Sequence, residues 1–175
     1  MTRFTGMILL MALLATGLAL RHRSSQRAER LFAGEAQAQQ RIDALAAGRA
    51  RVEAGVLPSQ WLARDAELQL LPDAGDETAA YARDSSYVYG LGLVSVVDRE
   101  TGRPRPGWVL RAWPLEYGVT GDLEFHLDDR GVLWHGQNPI GRSGLTEGFP
   151  PDFPEKTLGK RGQPWWRPEK GAIQR

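Results

Sequence analysis

The sequence of 175 residues contains no cysteine and only three histidines. The absence of cysteine excludes a disulfide framework, a thiol nucleophile and a thiolate metal site, and it fits either side of a membrane. No serine-nucleophile motif is present, because Gly141–Gly144 (GRSG) stands in a flexible stretch without a base nearby. These absences favour a protein that is not an enzyme.

Positive charge is concentrated towards the two ends of the chain, and the middle is acidic. Residues 1–30 hold five arginines against one glutamate, whereas residues 59–135 hold thirteen acidic residues against seven arginines. Residues 136–175 hold seven basic residues against four acidic ones. An acidic central region argues against a nucleic-acid surface there.

One long apolar run stands at the start, Phe4–Leu20, with seventeen residues and no charge. A transmembrane helix needs about 20 such residues, with about 17 at the short end of the range, so we expect a membrane anchor over residues 1–23. A cleaved signal peptide is the alternative, because Gly17-Leu18-Ala19 is similar to a small-residue cleavage site. A buried core helix is the weakest interpretation, since nothing downstream is large enough to bury it.

Residues 24–57 are rich in Ala, Gln, Glu and Arg, and they predict an amphipathic helix. Its narrow apolar seam recurs every seven residues, at Leu31, Ala38, Leu45 and Val52. Glu35 and Arg49 interrupt the seam, which argues against a long self-sufficient coiled coil. Two interpretations stay open: a helix laid against its own domain, and a helix packed against other copies through this seam.

Residues 58–136 predict a small α+β domain. A short helix is expected at Gln60–Leu71 and a turn at 72–76, followed by four antiparallel strands at 86–97, 108–113, 122–127 and 132–135. The overall expectation is an N-terminal transmembrane segment that continues into a long helix packed on a four-stranded antiparallel sheet. Residues 137–175, rich in Gly and Pro, predict a flexible C-terminal tail.

The central hairpin alternates strictly between apolar and polar residues from Asp122 to Leu127. If Leu127 pairs with Val132 across a four-residue turn, Phe125 falls opposite Trp134. Every apolar side chain of the hairpin then lies on one face.

The same register places Glu124 opposite His135, with His126 beside them on the solvent-facing side. Two histidines and a carboxylate are a candidate zinc set. Exposed faces of antiparallel strands are normally built of such residues, however, and a flat surface lacks the outer groups that orient working ligands. We therefore expect a solvated surface, with no metal, no cofactor and no catalytic residue.

The order of elements resembles the type IV pilins and the type II secretion pseudopilins. The stretch GEAQAQQRIDALAAGRARVEA resembles the helix that follows their hydrophobic segment. The sheet pattern is similar at Pro114, Tyr117-Gly118, Thr120-Gly121, Phe125 and Asp129 to Val132. The leader departs from the pattern, because Gly6-Met7 supplies the glycine while the position of the usual Glu holds Met11.

The resemblance implies a non-enzymatic, membrane-anchored envelope component, a degenerate minor pilin or a solo pilin-like protein. It places the C-terminal domain on the periplasmic side of the inner membrane, whereas Arg21 and Arg23 behind the apolar run favour the opposite orientation. Implied partners are the membrane and other pilin-like subunits through Leu31 and Leu45, and no nucleic acid.

Two other functions remain as alternatives. The first is an envelope binding module that contacts a glycan, a lipid or a protein through Trp108, Trp113 or Trp165-Trp166, the last pair lying among basic residues. The second is a small metal-dependent hydrolase that uses His126 and His135.

Overall fold

The computed structural model describes residues 2–47, 55–71, 77–98, 100–137 and 143–144. Three sequence-based expectations fall outside these ranges: the helix at Val52, the turn at 72–76, and nearly all of the tail with Trp165-Trp166.

Within these ranges the chain forms one long helix, one short helix and a single antiparallel sheet. In chain order the elements are α1 (Thr2–Ala46), α2 (Pro58–Leu62), β1 (Gln69–Leu70), β2 (Ala79–Arg83), β3 (Tyr87–Val97), β4 (Pro104–Pro114), β5 (Leu123–Asp128) and β6 (Leu133–Gln137). Strands that follow one another in the chain are neighbours in the sheet, so the sheet is a meander. The α+β class fits, but the prediction of four strands is wrong, because the sheet has six.

The two additional strands precede residue 86, in a stretch where the sequence predicted a short helix and a turn but no strand. Strand β2 reads AAYAR, and alanine is a poor indicator of strand structure. Strand β1 has only two residues. Helix α2 starts at a proline, a favoured first position, but it ends at Leu62 rather than Leu71.

The β5–β6 hairpin is present, but its predicted register is wrong by one residue. Leu127 lies opposite Leu133, and Phe125 lies opposite His135 rather than opposite Trp134. Opposite residues of an antiparallel pair share one face of the sheet. Trp134 therefore lies on the face opposite to that of Phe125.

The carboxylate of Asp128 is the physical reason for this shift. Its Oδ1 accepts hydrogen bonds from the backbone N–H groups of Arg130 (3.0 Å) and Val132 (2.9 Å). The Asp128 N–H also donates to the Val132 carbonyl (3.2 Å), so these two residues pair and only residues 129–131 lie between them, where a turn of four was expected. Gly131 ends the loop with φ of 77°, which glycine adopts without strain.

Helix α1 is continuous over 45 residues. The first proline of the sequence is Pro58, so no residue before it breaks the hydrogen bonding of the helix. The apolar run Phe4–Leu20 passes directly into Arg21 and Arg23 without ending the helix.

The prediction of a transmembrane segment is corrected. Across the part of the chain that the structure describes, no helix is both long enough and apolar enough to cross a membrane. The apolar run is itself at the short end of what a bilayer requires.

The C-terminal part of α1 covers one face of the sheet and forms the core with it. We call this the helix face; its buried side chains are Tyr87, Tyr89, Leu91, Leu110, Ala112, Phe125 and Leu127, and those of α1 are Ala38, Ile42 and Leu45. Trp61 of α2 packs edge-on against Trp108 at a centroid distance of 5.2 Å. The opposite face, called the far face, carries Tyr81, Val88, Arg111, Trp113, His126 and Trp134.

Arg41 of α1 forms a buried ion network at the end of the helix. Its guanidinium pairs with Asp65 at 2.7 Å, with Glu67, and with Asp84 at 3.2 Å. Asp84 also accepts a hydrogen bond from the Tyr89 hydroxyl (2.8 Å). Burial alone lowers the pKa of Arg41, but its hydrogen bonds to Glu67 and Asp65 outweigh burial and raise that pKa above its ordinary value.

A second contact joins α1 to the loop between β4 and β5. Gly34 lies against Thr120, so closely that a Cβ at Gly34 would be 2.0 Å from the Thr120 carbonyl oxygen. Next to it, Glu35 accepts a hydrogen bond from the Asp122 N–H (3.1 Å). Glycine is needed at position 34 for this close approach.

We predict that Gly34→Ala destabilises the protein by about 1–3 kcal/mol, because the new methyl group would overlap backbone that cannot move away cheaply. The matched control is Gly17→Ala on the same helix, where nothing lies within 4 Å. Alanine favours a helix over glycine by about 1 kcal/mol, so the control should not lower stability. Urea denaturation of both variants measures the difference, and equal losses would contradict this packing.

Candidate functional site

The structure does not bring together the three residues of the candidate zinc set. Glu124 and His126 lie on the far face, opposite Gly136 and Trp134, whereas His135 lies on the helix face opposite Phe125. All three side chains are buried, so the expectation of a solvent-facing surface is wrong. Among the described residues, no group of three or more potential ligands is placed to hold a metal ion.

The environment of the histidines explains their protonation. His126 lies opposite Arg111 of β4. Burial, with a smaller contribution from the Arg111 charge, lowers the pKa of His126 to about 3. Burial also lowers the pKa of His135, whose ring lies 6.3 Å from the ring of Phe125. Both histidines are therefore neutral near pH 7 and serve the packing of the two faces.

The tryptophans of the sheet are also interior residues. Trp108 contacts Trp61 on the helix face, and Trp113 lies on the far face with its ring 6.3 Å from that of Tyr81. The Trp113 Nε1–H donates a hydrogen bond to the carbonyl of Gly144. Both side chains are almost fully buried, so neither offers a surface to a glycan or a lipid.

Two residues of the seam that the sequence suggested for subunit contacts pack against the protein's own sheet. Ala38 and Leu45 are buried in the core, and Leu31 is half-buried. Leu45 therefore has almost no surface that another copy could contact.

A group of exposed apolar side chains lies elsewhere on α1. Every residue from Leu14 to Arg27 is exposed, and we call this stretch the exposed segment of α1. Its leucines are all well exposed, Leu14 to 60 %, Leu18 to 67 % and Leu20 to 62 %. Met11, three residues before the segment, is 66 % exposed. Isolated apolar side chains are common on surfaces, but a contiguous group marks an interaction site.

Three of these side chains form a stripe. At 3.6 residues per turn, Met11, Leu14 and Leu18 fall on one side of the helix, with the spacing of a helix-packing seam. Leu20 falls on the opposite side, in line with the residues that α1 buries against the sheet. The stripe therefore faces away from the side on which α1 contacts the sheet, and another molecule can contact it.

Comparisons of the chain with protein-family models, with curated proteins and with solved structures find no match. The resemblance to pilins and pseudopilins accordingly stays a prediction from the sequence.

We predict that stability falls in acid because His126 is buried in its neutral form. The folded pKa is about 3, whereas an unfolded histidine titrates near 6.5, so the unfolded state binds the extra proton between these values. This contribution is fully present above about pH 6.5 and declines by up to about 1.4 kcal/mol per pH unit as the pH falls towards 3.

Chemical denaturation of wild type and His126→Gln, from about pH 7 down to about pH 4.5, measures this slope. The variant should show a shallower loss of unfolding free energy, while His135 contributes equally in both proteins. Identical slopes would mean that His126 is accessible to protons in the folded state.

Proposed function

We propose that the protein is a non-enzymatic structural subunit of the bacterial cell envelope, of the pilin- or pseudopilin-like kind. It assembles with other copies through the stripe formed by Met11, Leu14 and Leu18. The observation that supports this proposal is the exposure of these side chains on a helix whose C-terminal part is docked on a folded domain.

Burial of the stripe provides the driving force for assembly. Moving one leucine side chain from water into a packed interface contributes about 1.5–3 kcal/mol. Helices with apolar residues at this spacing interlock side by side, each side chain filling a gap between residues of its neighbour. Several copies can thereby cover surfaces that each copy alone exposes to water.

A polar stretch separates the stripe from the sheet domain. Arg21, Arg23 and Arg27 follow Leu20, and Gln26 lies with its Nε2 2.9 Å from Nε2 of His22. Arg27 donates from Nε to the carbonyl of Gly118 (2.7 Å), which marks where α1 meets the domain. The sheet domain therefore stays outside an assembled bundle of helices.

The envelope location, with the sheet domain on the periplasmic side of the inner membrane, belongs to the same proposal and is supported by the family resemblance alone. The alternative of an envelope binding module is weakened, because two of its proposed contact residues, Trp108 and Trp113, are buried. The alternative of a metal-dependent hydrolase is weakened as well, because its two proposed metal ligands, His126 and His135, lie on opposite faces of the sheet.

We predict that Leu14→Gln and Leu18→Gln each weaken self-association of the full chain by about tenfold or more, the effect of losing about 1.4 kcal/mol of buried leucine. Sedimentation equilibrium over a range of protein concentrations measures the association constant.

The matched control is Leu20→Gln, which alters a leucine of equal exposure on the opposite side of the helix. It should weaken association by less than about threefold. Equal effects of all three substitutions would show that the helix is surrounded by apolar material on every side, and no effect of any would remove α1 from the assembly.

A further inference from the structure

The β3–β4 hairpin extends beyond the rest of the sheet. Strand β2 accompanies β3 only as far as Gly92, and β5 accompanies β4 only from Val109 onwards. The paired segments 93–97 and 104–107 therefore form a two-stranded projection, which we call the arm. Its turn is ordered by the Asp98 carboxylate, which accepts hydrogen bonds from the N–H groups of Glu100 and Thr101 at 2.9 Å each.

The outer edge of β3 in the arm presents backbone groups that the described residues do not use. The Leu93 N–H donates to the Thr78 carbonyl (2.7 Å), which shows that this residue directs its backbone towards β2. Residues two apart in a strand direct their backbone groups the same way. Ser95 and Val97 therefore point their N–H and C=O groups past the end of β2, where no described residue pairs with them.

The outer edge of β4 is closed by contrast. Arg105 and Gly107 lie opposite Val96 and Val94, whose backbone groups face β4. Pro104 and Pro106 occupy the alternate positions, where an N–H would point outwards, and proline has none. Prolines and short edges are devices by which proteins prevent unwanted strand pairing. The arm is therefore protected on one edge. The other edge, with which no described residue pairs beyond Leu93, we call the open edge.

The side chains of the open edge form a small apolar slot. Leu93 and Val97 share the side of β3 that continues the helix face, and their exposures are 40 % and 65 %. Between them lies Ser95, a much smaller side chain. A bulky side chain from a neighbouring strand fits over Ser95 and touches the apolar residues on both sides.

We infer that the open edge of the arm binds the same edge of a second copy of this chain, as two antiparallel strands related by a two-fold axis. In the fitting register, Ser95 of each copy lies opposite Val97 of the other, and each such pair exchanges two backbone hydrogen bonds. Val97 of each copy fills the slot over Ser95 of the other. The edge is thus complementary to itself, which a two-fold interface requires.

This interface is separate from the stripe on α1, so it is tested in a background that disables the stripe. The full chain carries Leu14→Gln and Leu18→Gln, and hydrogen exchange of the amide at position 97 is followed as the protein concentration rises. With Ser95→Ala, which keeps the backbone N–H, exchange should slow by about tenfold or more at high concentration. With Ser95→Pro, which removes that N–H, raising the protein concentration should not slow the exchange of the amide at position 97.

A second variant keeps the test decisive if proline disturbs β3. Val97→Lys leaves all backbone donors in place but puts a charge into the slot, and it should also abolish the concentration-dependent protection. Exchange at position 97 that is independent of concentration in the Ser95→Ala protein would overturn the inference. Protection that persists in Val97→Lys would also overturn it.

Discussion

The buried guanidinium of Arg41 is the interaction on which the rest of the structure depends. It holds α1 to the turn before β1 through Asp65 and to the turn between β2 and β3 through Asp84. Asp84 in turn accepts hydrogen bonds from the backbone at the start of β3, at Ser86 and Tyr87. A buried charge that loses one partner costs about 3–5 kcal/mol, so the helix has one strongly preferred position on the sheet.

That position determines which surfaces remain available. From Arg41 the helix runs back past Gly34, beside the start of β3, and then leaves the sheet near Gly118. The exposed segment of α1 therefore projects from one end of the sheet domain. The arm projects from the other end, where β3 finishes. The two proposed self-binding surfaces therefore lie at opposite ends of the subunit, which is the geometry that an extended assembly needs.

Much of the sheet could be predicted from the sequence, because its longest strands carry clear alternation and clear boundaries. Strand β3 begins and ends within a residue of the prediction. Strand β4 ends one residue past its predicted end, at Pro114, but it begins at Pro104 rather than at Trp108. The register of β6 could not be predicted, since both of its alternating sets contain large apolar residues and neither is plainly the inner one. The register is determined by the side chain of Asp128, whose hydrogen bonds shorten the loop.

The polar residues of α1 were harder to interpret from sequence. Glu35 looked like an interruption of an apolar seam, yet it is buried and accepts a hydrogen bond from the Asp122 N–H. The ion network of Arg41 could not be predicted, because its three carboxylate partners are distant from it in sequence and come close to it only in the folded protein. The candidate zinc set was wrong for a different reason. It depended on a predicted register that differs from the actual register by one residue.

The most direct test of the proposed assembly measures which side of α1 becomes covered. The chain has no cysteine, so Leu18→Cys and Leu20→Cys each introduce a single thiol, and the rate of labelling with a maleimide reports its accessibility. Both thiols should react rapidly in dilute protein. At concentrations that favour assembly, the thiol at position 18 should become protected while the thiol at position 20 stays reactive. Equal protection of both positions, or of neither, would contradict assembly through one stripe of the helix.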